Sequence, residues 1–297
     1  MYGSFAKRSS FIVALVTRPA SGVLANVAIG SLALTSNTMF AIASTYGVIA
    51  CGLMLFVPWR HWLPQLLRNK GLYLVRATAL FAATATYTAS LTAMPLATCV
   101  AAAQATPLFV VLGARLALGE EVRRRDWFFF IFCAAAILAI LSPWSGVNQI
   151  LPTMLLISST ILSAVSTVLT KKLSMSLGAT SGAIPSMIIM ASLLVVPGYL
   201  WRPEYLQIGD YCLIGLSAGL LATSELGLAV LLSRFPTPFV ISFHFLRLPW
   251  AVVVGILMLG QVPSMREAIG MLFLCALLAA YIAPPSLSPS FVKRSES

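Results

Sequence analysis

The chain has 297 residues, 59% of them hydrophobic and 9% charged, with a mean hydropathy of +0.94 and a formal net charge of +11. A soluble domain of this size has nowhere to bury so much apolar surface. The composition therefore excludes the soluble globular classes and leaves an all-α polytopic membrane protein.

Residues 1–18 form a basic N-terminal segment, in which Phe11 to Val16 is too short an apolar run for a signal-peptide core. The first span opens either at Pro19, because proline suits the first turn of a helix, or near Phe11. The pattern favours Pro19 and a span over 19–35. Further apolar runs cover 38–57, 72–91, 96–117 and 127–143, then 152–170, 181–200, 211–232, 237–259 and 268–283. They are long enough to cross the hydrocarbon core, giving about ten spans. Residues 284–297 are rich in proline and serine and read as a cytoplasmic tail.

The stretch from Met94 to Asp126 (MPLATCVAAAQATPLFVVLGARLALGEEVRRRD) returns 141 positions later, from Phe235 to Glu267 (FPTPFVISFHFLRLPWAVVVGILMLGQVPSMRE). Pro95 falls on Pro236, Leu118-Gly119 on Leu259-Gly260, Arg125 on Arg266 and Asp126 on Glu267. A fixed offset of this kind marks a duplication, with one repeat in 19–144 and the other in 150–283. An odd number of spans per repeat makes the two copies enter the membrane from opposite faces, so the expected architecture is two inverted five-helix repeats.

With the N-terminus inside, sixteen Lys and Arg residues lie on the cytoplasmic side, Arg18, Arg76, Lys171 and Arg123–Arg125 among them, against Arg202 and Arg266 outside. The basic balance is thus the positive-inside bias of a membrane protein, not a nucleic-acid footprint. Trp59, Trp62, Trp127, Trp144 and Trp201 fall at span ends, as interfacial tryptophans do.

The segment MPLATCVAAAQATPLFVVLGARLALGEEV, with Pro107, Gly119 and Glu120, and its second copy FLRLPWAVVVGILMLGQVP resemble EamA-type members of the drug/metabolite transporter superfamily. LYLVRATALF, with Arg76 opening the third span, is similar to the branch that includes S-adenosylmethionine uptake carriers. The resemblance covers nearly the whole chain. It implies ten-helix carriers in the bacterial inner membrane, both termini cytoplasmic, that move amino acids, their derivatives or other small metabolites. Gln261 departs from the glutamate usual in the second repeat, the second span lacks an arginine often found there, and the first loop is short.

Of the eight acidic residues only Glu225 lies inside a span, with His244 and Arg247 as the other strongly polar ionisable groups at that depth. Helical rise puts Glu225 ~12–13 Å, His244 ~10 Å and Arg247 ~15 Å from the cytoplasmic ends of their spans. Each needs a partner or a wet cavity. Phe243, Arg247 and Trp250 share a stripe, and Pro249 predicts a kink below it. Tyr87 and Gln104 add polar groups on the third and fourth spans. The candidate substrate site is therefore Glu225, Arg247, His244, Trp250, Phe243, Gln104 and Tyr87, with Glu225 and Arg247 acting as a pair. Plainer readings stand beside it: a structural ion pair, serines of the sixth span as packing devices, Arg76 snorkelling to the interface, and Glu120–Arg125 as a solvated turn.

The five cysteines are scattered singly, with no metal-ligand spacing, and there is no phosphate-binding glycine loop, so neither a cofactor nor a metal is expected. A secondary carrier working by alternating access fits best, with an amino acid or amino-acid derivative as substrate. A cationic nucleoside such as S-adenosylmethionine, held by Trp250 or Phe243, is the alternative. A polytopic intramembrane enzyme is the alternative from another class, but one glutamate and one histidine are thin for its chemistry. The partners expected are the small substrate and the lipid bilayer; proton coupling and a homodimer are compatible with this reading.

The charge bias makes a topological prediction. On a cysteine-free background in intact cells, a cysteine at Ser145 should react with an impermeant probe and one at Ser290 should be protected. The opposite pattern would reverse the orientation.

Overall fold

A computed structural model describes residues 15–29, 32, 38–56, 59–91, 103–141, 150–203, 205–259 and 265–282. Among these the secondary structure is helical, with no strand. In chain order the helices are α1 (Leu15–Ile29), α2 (Thr38–Phe56), α3 (Trp59–Arg68), α4 (Lys70–Leu91), α5 (Thr106–Leu118), α6 (Arg124–Leu141), α7 (Ile150–Leu177), α8 (Ala179–Leu200), α9 (Ile208–Arg234), α10 (Thr237–Ser242), a 3-10 turn (Phe243–Leu246), α11 (Arg247–Leu259) and α12 (Met265–Ile282). The helices α7, α8 and α9 are each long and apolar enough to cross a membrane. Large apolar side chains such as Leu55, Leu116, Leu257 and Leu272 are largely exposed. A surface so apolar faces lipid, not water, and the chain is an integral membrane protein.

Two expectations change at this level. Pro19 does not open the first span: it lies inside α1, which already includes Leu15. Trp59–Arg68 forms a separate helix, α3, between the spans expected over 38–57 and 72–91; Leu63 and Leu66 pack it against the α2–α8 core. The short first loop, the start of the fourth span and the link 142–149 fall outside the described residues.

Proline and glycine explain how the helices approach one another. Pro185 lies inside α8 and has no amide proton, so it cannot bond the carbonyl of Ser181 four residues before it. The hydroxyl of Tyr73 on α4 donates to that carbonyl at 2.7 Å. Pro249 acts as expected: the helix is interrupted ahead of it, passing from α10 through the 3-10 turn before α11 resumes at Arg247. At Gly198 of α8 an added Cβ would lie 2.5 Å from the Cβ of Ala43 on α2, so only hydrogen fits.

Packing is most extensive between α4 and α7 and between α2 and α8, with α9 against α2, α7 and α8, α10 against α5, and α12 against α6. Two apolar clusters result. One joins Leu15 of α1 and Leu228, Leu231 and Leu232 of α9 to Phe129, Phe130 and Phe245. The other joins Ala25 of α1 and Ala218 and Leu221 of α9 to α2 and α8. Along both α1 and α9 the polar residues Arg18, Ser224 and Glu225 fall between the two clusters.

The α2–α8 contact gives a direct test. Gly198→Ala should destabilise the protein by about 1–3 kcal/mol through overpacking, and Ala43→Gly in the same chain should restore most of the loss. Thermal unfolding of the single and double variants reads both effects.

Candidate functional site

Arg76 is fully buried. Its Nε donates to Thr170 Oγ1 at 2.6 Å, its Nη1 to the Ala183 carbonyl at 3.0 Å, and its Nη2 lies 3.7 Å from Glu225 Oε2. Helix α4 thus places one guanidinium against α7, α8 and α9 at once. This overturns the expectation that Arg76 snorkels to the interface. Measured along α4 alone it lies near an end, but three other helices cover it there and supply acceptors.

Two further guanidiniums converge on the same place. Arg18 of α1 donates Nε to the Ser224 carbonyl at 3.3 Å. Arg247 of α11 places Nη1 3.3 Å from His244 Nε2; a guanidinium only donates, so Nε2 is the acceptor. Gly22 makes the convergence possible, because a Cβ there would sit 2.7 Å from Arg247 Nη2 and 3.2 Å from Ser224 Oγ. Arg18, Glu225, His244 and Arg247 line a cavity of about 60 Å³ together with the hydroxyls of Thr106, Ser163 and Thr167. Tyr46 of α2, buried, lies within the electrostatic reach of Glu225, Arg76 and Arg247.

The sequence reading is therefore corrected in two respects. Glu225 forms its ion pair with Arg76, not with Arg247, although Arg247 remains within its field. Nor are Glu225 and Arg247 the only opposite charges in the bundle, since Arg18 and Arg76 are buried there as well. Of the other candidates, His244 lines the cavity and Tyr87 lies within the electrostatic reach of Arg247. Phe243 instead packs in the apolar core against Phe239, with ring centroids 5.5 Å apart. Trp250 is half-buried on α11 and Gln104 is buried, and neither is among the residues lining the cavity.

The 141-residue offset is also visible in contacts. Ser159 Oγ donates to the Ala83 carbonyl at 2.8 Å, and Arg18 Nε donates to the Ser224 carbonyl; 18 and 159, and 83 and 224, are each 141 apart. The residues at this offset from Arg18, Arg76 and Arg247 are Ser159, Ser217 and Thr106. Each arginine thus has a hydroxyl at the corresponding position of the other half.

A second polar cluster ties the halves together at one end of the bundle. Gly119 ends α5 with a φ of 67°, a left-handed conformation that glycine adopts without strain. The chain turns there, and Glu120 pairs with Lys171 of α7 and accepts from the Thr237 amide at 3.1 Å. Lys171 also donates to the Phe235 carbonyl at 3.1 Å. Beside it Arg125 Nη2 donates to the Ala280 carbonyl at 2.6 Å, and the Tyr281 hydroxyl donates to Asp126 at 2.8 Å. The segment Glu120–Arg125 is thus not simply a solvated turn, because the Glu120 carboxylate and the Arg125 guanidinium both find partners in the second half.

No family model matches the chain. A curated riboflavin transporter from Rhizobium johnstonii (strain DSM 114642 / LMG 32736 / 3841) is 29% identical over 213 residues, 70% of this chain and 64% of that protein. The matched region therefore spans less than two thirds of the relative's length. That relative is named a transporter. A solved crystal structure, described only as that of a protein, shares the fold with a TM-score of 0.72 over 97% of this chain and 99% of the other, at 14% identity.

The three directed contacts of Arg76 predict how it tolerates change. Breaking a buried pair by removing one partner costs about 3–5 kcal/mol, so Arg76→Gln should lose most of its folded yield. Arg76→Lys should lose nearly as much, because one nitrogen cannot occupy the three separate positions from which Nε, Nη1 and Nη2 reach three helices. Wild-type stability in the lysine variant, by thermal unfolding in detergent, would return Arg76 to an interfacial role.

Proposed function

We propose that this protein is a secondary carrier that moves a small organic metabolite across the membrane, its site the arginine cluster around Glu225. The observation that carries the reading is the meeting of Arg18 and Arg76 from the first half with Glu225, His244 and Arg247 from the second. Ionisable groups at membrane depth cost about 2.5–3.5 kcal/mol each on insertion scales and are kept where they serve a ligand or an ion path. Similarity to a riboflavin transporter supports a carrier over an intramembrane enzyme.

Two inverted five-helix repeats, with both termini cytoplasmic in the inner membrane, give this site its mechanism. Support comes from the sequence offset and from the paired hydrogen bonds of Arg18 and Ser159 at that same offset. The Glu120–Lys171 cluster then acts as a closed gate on the cytoplasmic side, released when the repeats rock about the midplane site. At about 60 Å³ the cavity is too small for a metabolite of the size of riboflavin, so loading one requires that the bundle open. The relative's name extends the candidate substrates from amino acids and their derivatives to a vitamin, riboflavin.

Uptake of labelled riboflavin into proteoliposomes, with unlabelled amino acids and S-adenosylmethionine as competitors, tests the reading. Glu225→Gln and Arg247→Gln should each lower flux about tenfold or more, equivalent to ~1.4 kcal/mol or more of lost interaction, when normalised to folded protein. Wild-type flux in both variants would remove the cluster from the mechanism.

A further inference from the structure

We infer that the ligand of this cluster is a net anion, a metabolite presenting a carboxylate or a phosphate to Arg18 and Arg247; the inference rests on the carrier reading above and narrows its substrate class. Three guanidiniums converge here, from α1, α4 and α11, and among the described residues Glu225 is the one carboxylate within the cluster. Arg76 takes up that carboxylate. Arg18 and Arg247 donate instead to a backbone carbonyl and a ring nitrogen, both neutral. The cluster so carries a surplus of two positive charges in a low-dielectric setting, where the field of an unbalanced cation acts strongly.

Geometry points the same way. Arg18 and Arg247 belong to the cavity wall, and each planar guanidinium offers a fork of donors suited to a two-oxygen acceptor. Thr106 and Ser163 add hydroxyls to the same wall that can donate to the remaining oxygens, while the Thr167 hydroxyl donates to the Ser163 carbonyl. Glu225 borders the cavity as well, so an entering anion meets one repulsive carboxylate held back by Arg76. A cationic ligand would have to displace that ion pair and then sit among three like charges.

The test uses the full chain in detergent micelles, with thermal unfolding followed by tryptophan fluorescence at constant ionic strength. Inorganic phosphate and succinate serve as anionic probes, choline as the cation and glycerol as the neutral control. At least one anion should raise the melting temperature saturably while choline and glycerol do not. Arg18→Gln and Arg247→Gln should each weaken the apparent affinity about tenfold or more. Glu225→Gln should tighten it in the protein that folds, since it removes the carboxylate that repels the anion. Arg247→Lys, which keeps the charge but loses the two-donor fork, should weaken it as well, and it keeps the test open if the glutamine variants do not fold.

Absence of saturable stabilisation by both anions overturns the inference. So does unchanged affinity in folded Arg247→Gln, or weaker anion binding in Glu225→Gln. Flux of the uncharged tracer from the transport assay, with no competition from either anion, would leave the carrier reading standing and overturn this one. Saturable anion stabilisation that depends on Arg247, without flux of any tracer, would support the anion site while the carrier reading fails.

Discussion

The structure depends on placing ionised guanidiniums inside a bundle whose exterior is hydrocarbon. An arginine there must find acceptors within the protein, because lipid offers none. Arg76 finds them on α7, α8 and α9, and so fixes three helices relative to α4. Arg18 ties α1 to α9, and Arg247 fits against α1 only because residue 22 is glycine. The same contacts that make these charges tolerable hold the two halves of the chain in register around the cavity.

Backbone irregularities follow from this arrangement. Pro185 frees a carbonyl that Tyr73 then uses, so a missing amide in α8 becomes a link between helices. The interruption ahead of Pro249 separates Arg247, at the start of α11, from the tightly packed aromatic segment with Phe243 and Phe245. Phe243 and Phe245 pack into the core, while His244 between them and Arg247 beyond them line the cavity. This is also why Phe243 and Arg247, one helical turn apart, do not share an environment: a regular α-helical stripe does not run through a 3-10 turn.

Charge at the membrane boundary is used differently from charge at depth. Glu120, Lys171, Arg125 and Asp126 all find partners, several across the two halves, in contacts that can open without exposing an ion to lipid. The charges of the central cluster sit deeper, with Arg18 and Arg76 buried and Glu225 partly exposed beside them. The rocking motion proposed for the carrier would draw on both kinds: contacts at the ends that exchange with solvent, and a centre whose charges keep partners within the protein.

The sequence by itself determined the class and the layout. Apolar runs matched the helices to within a few residues for α2, α4, α6, α8, α9 and α12, and read α10 and α11 as one span with a break at Pro249, since a hydrocarbon-length apolar segment satisfies its backbone as a helix. It also pointed to Glu225, His244 and Arg247, which stand out because ionisable groups are so rare within the spans. The amphipathic α3 was less legible, because its mixture of arginine, histidine and tryptophan reads equally as an interfacial loop. Only the tertiary structure decided which charges meet. Arg18 and Arg76 sit near the ends of apolar runs, and depth counted along one helix cannot reveal that neighbouring helices extend past it and cover the side chain. Pairing across a bundle is set by which faces turn inward, and that is fixed by contacts between residues more than a hundred positions apart, such as Arg76 with Glu225 and Arg18 with Ser224.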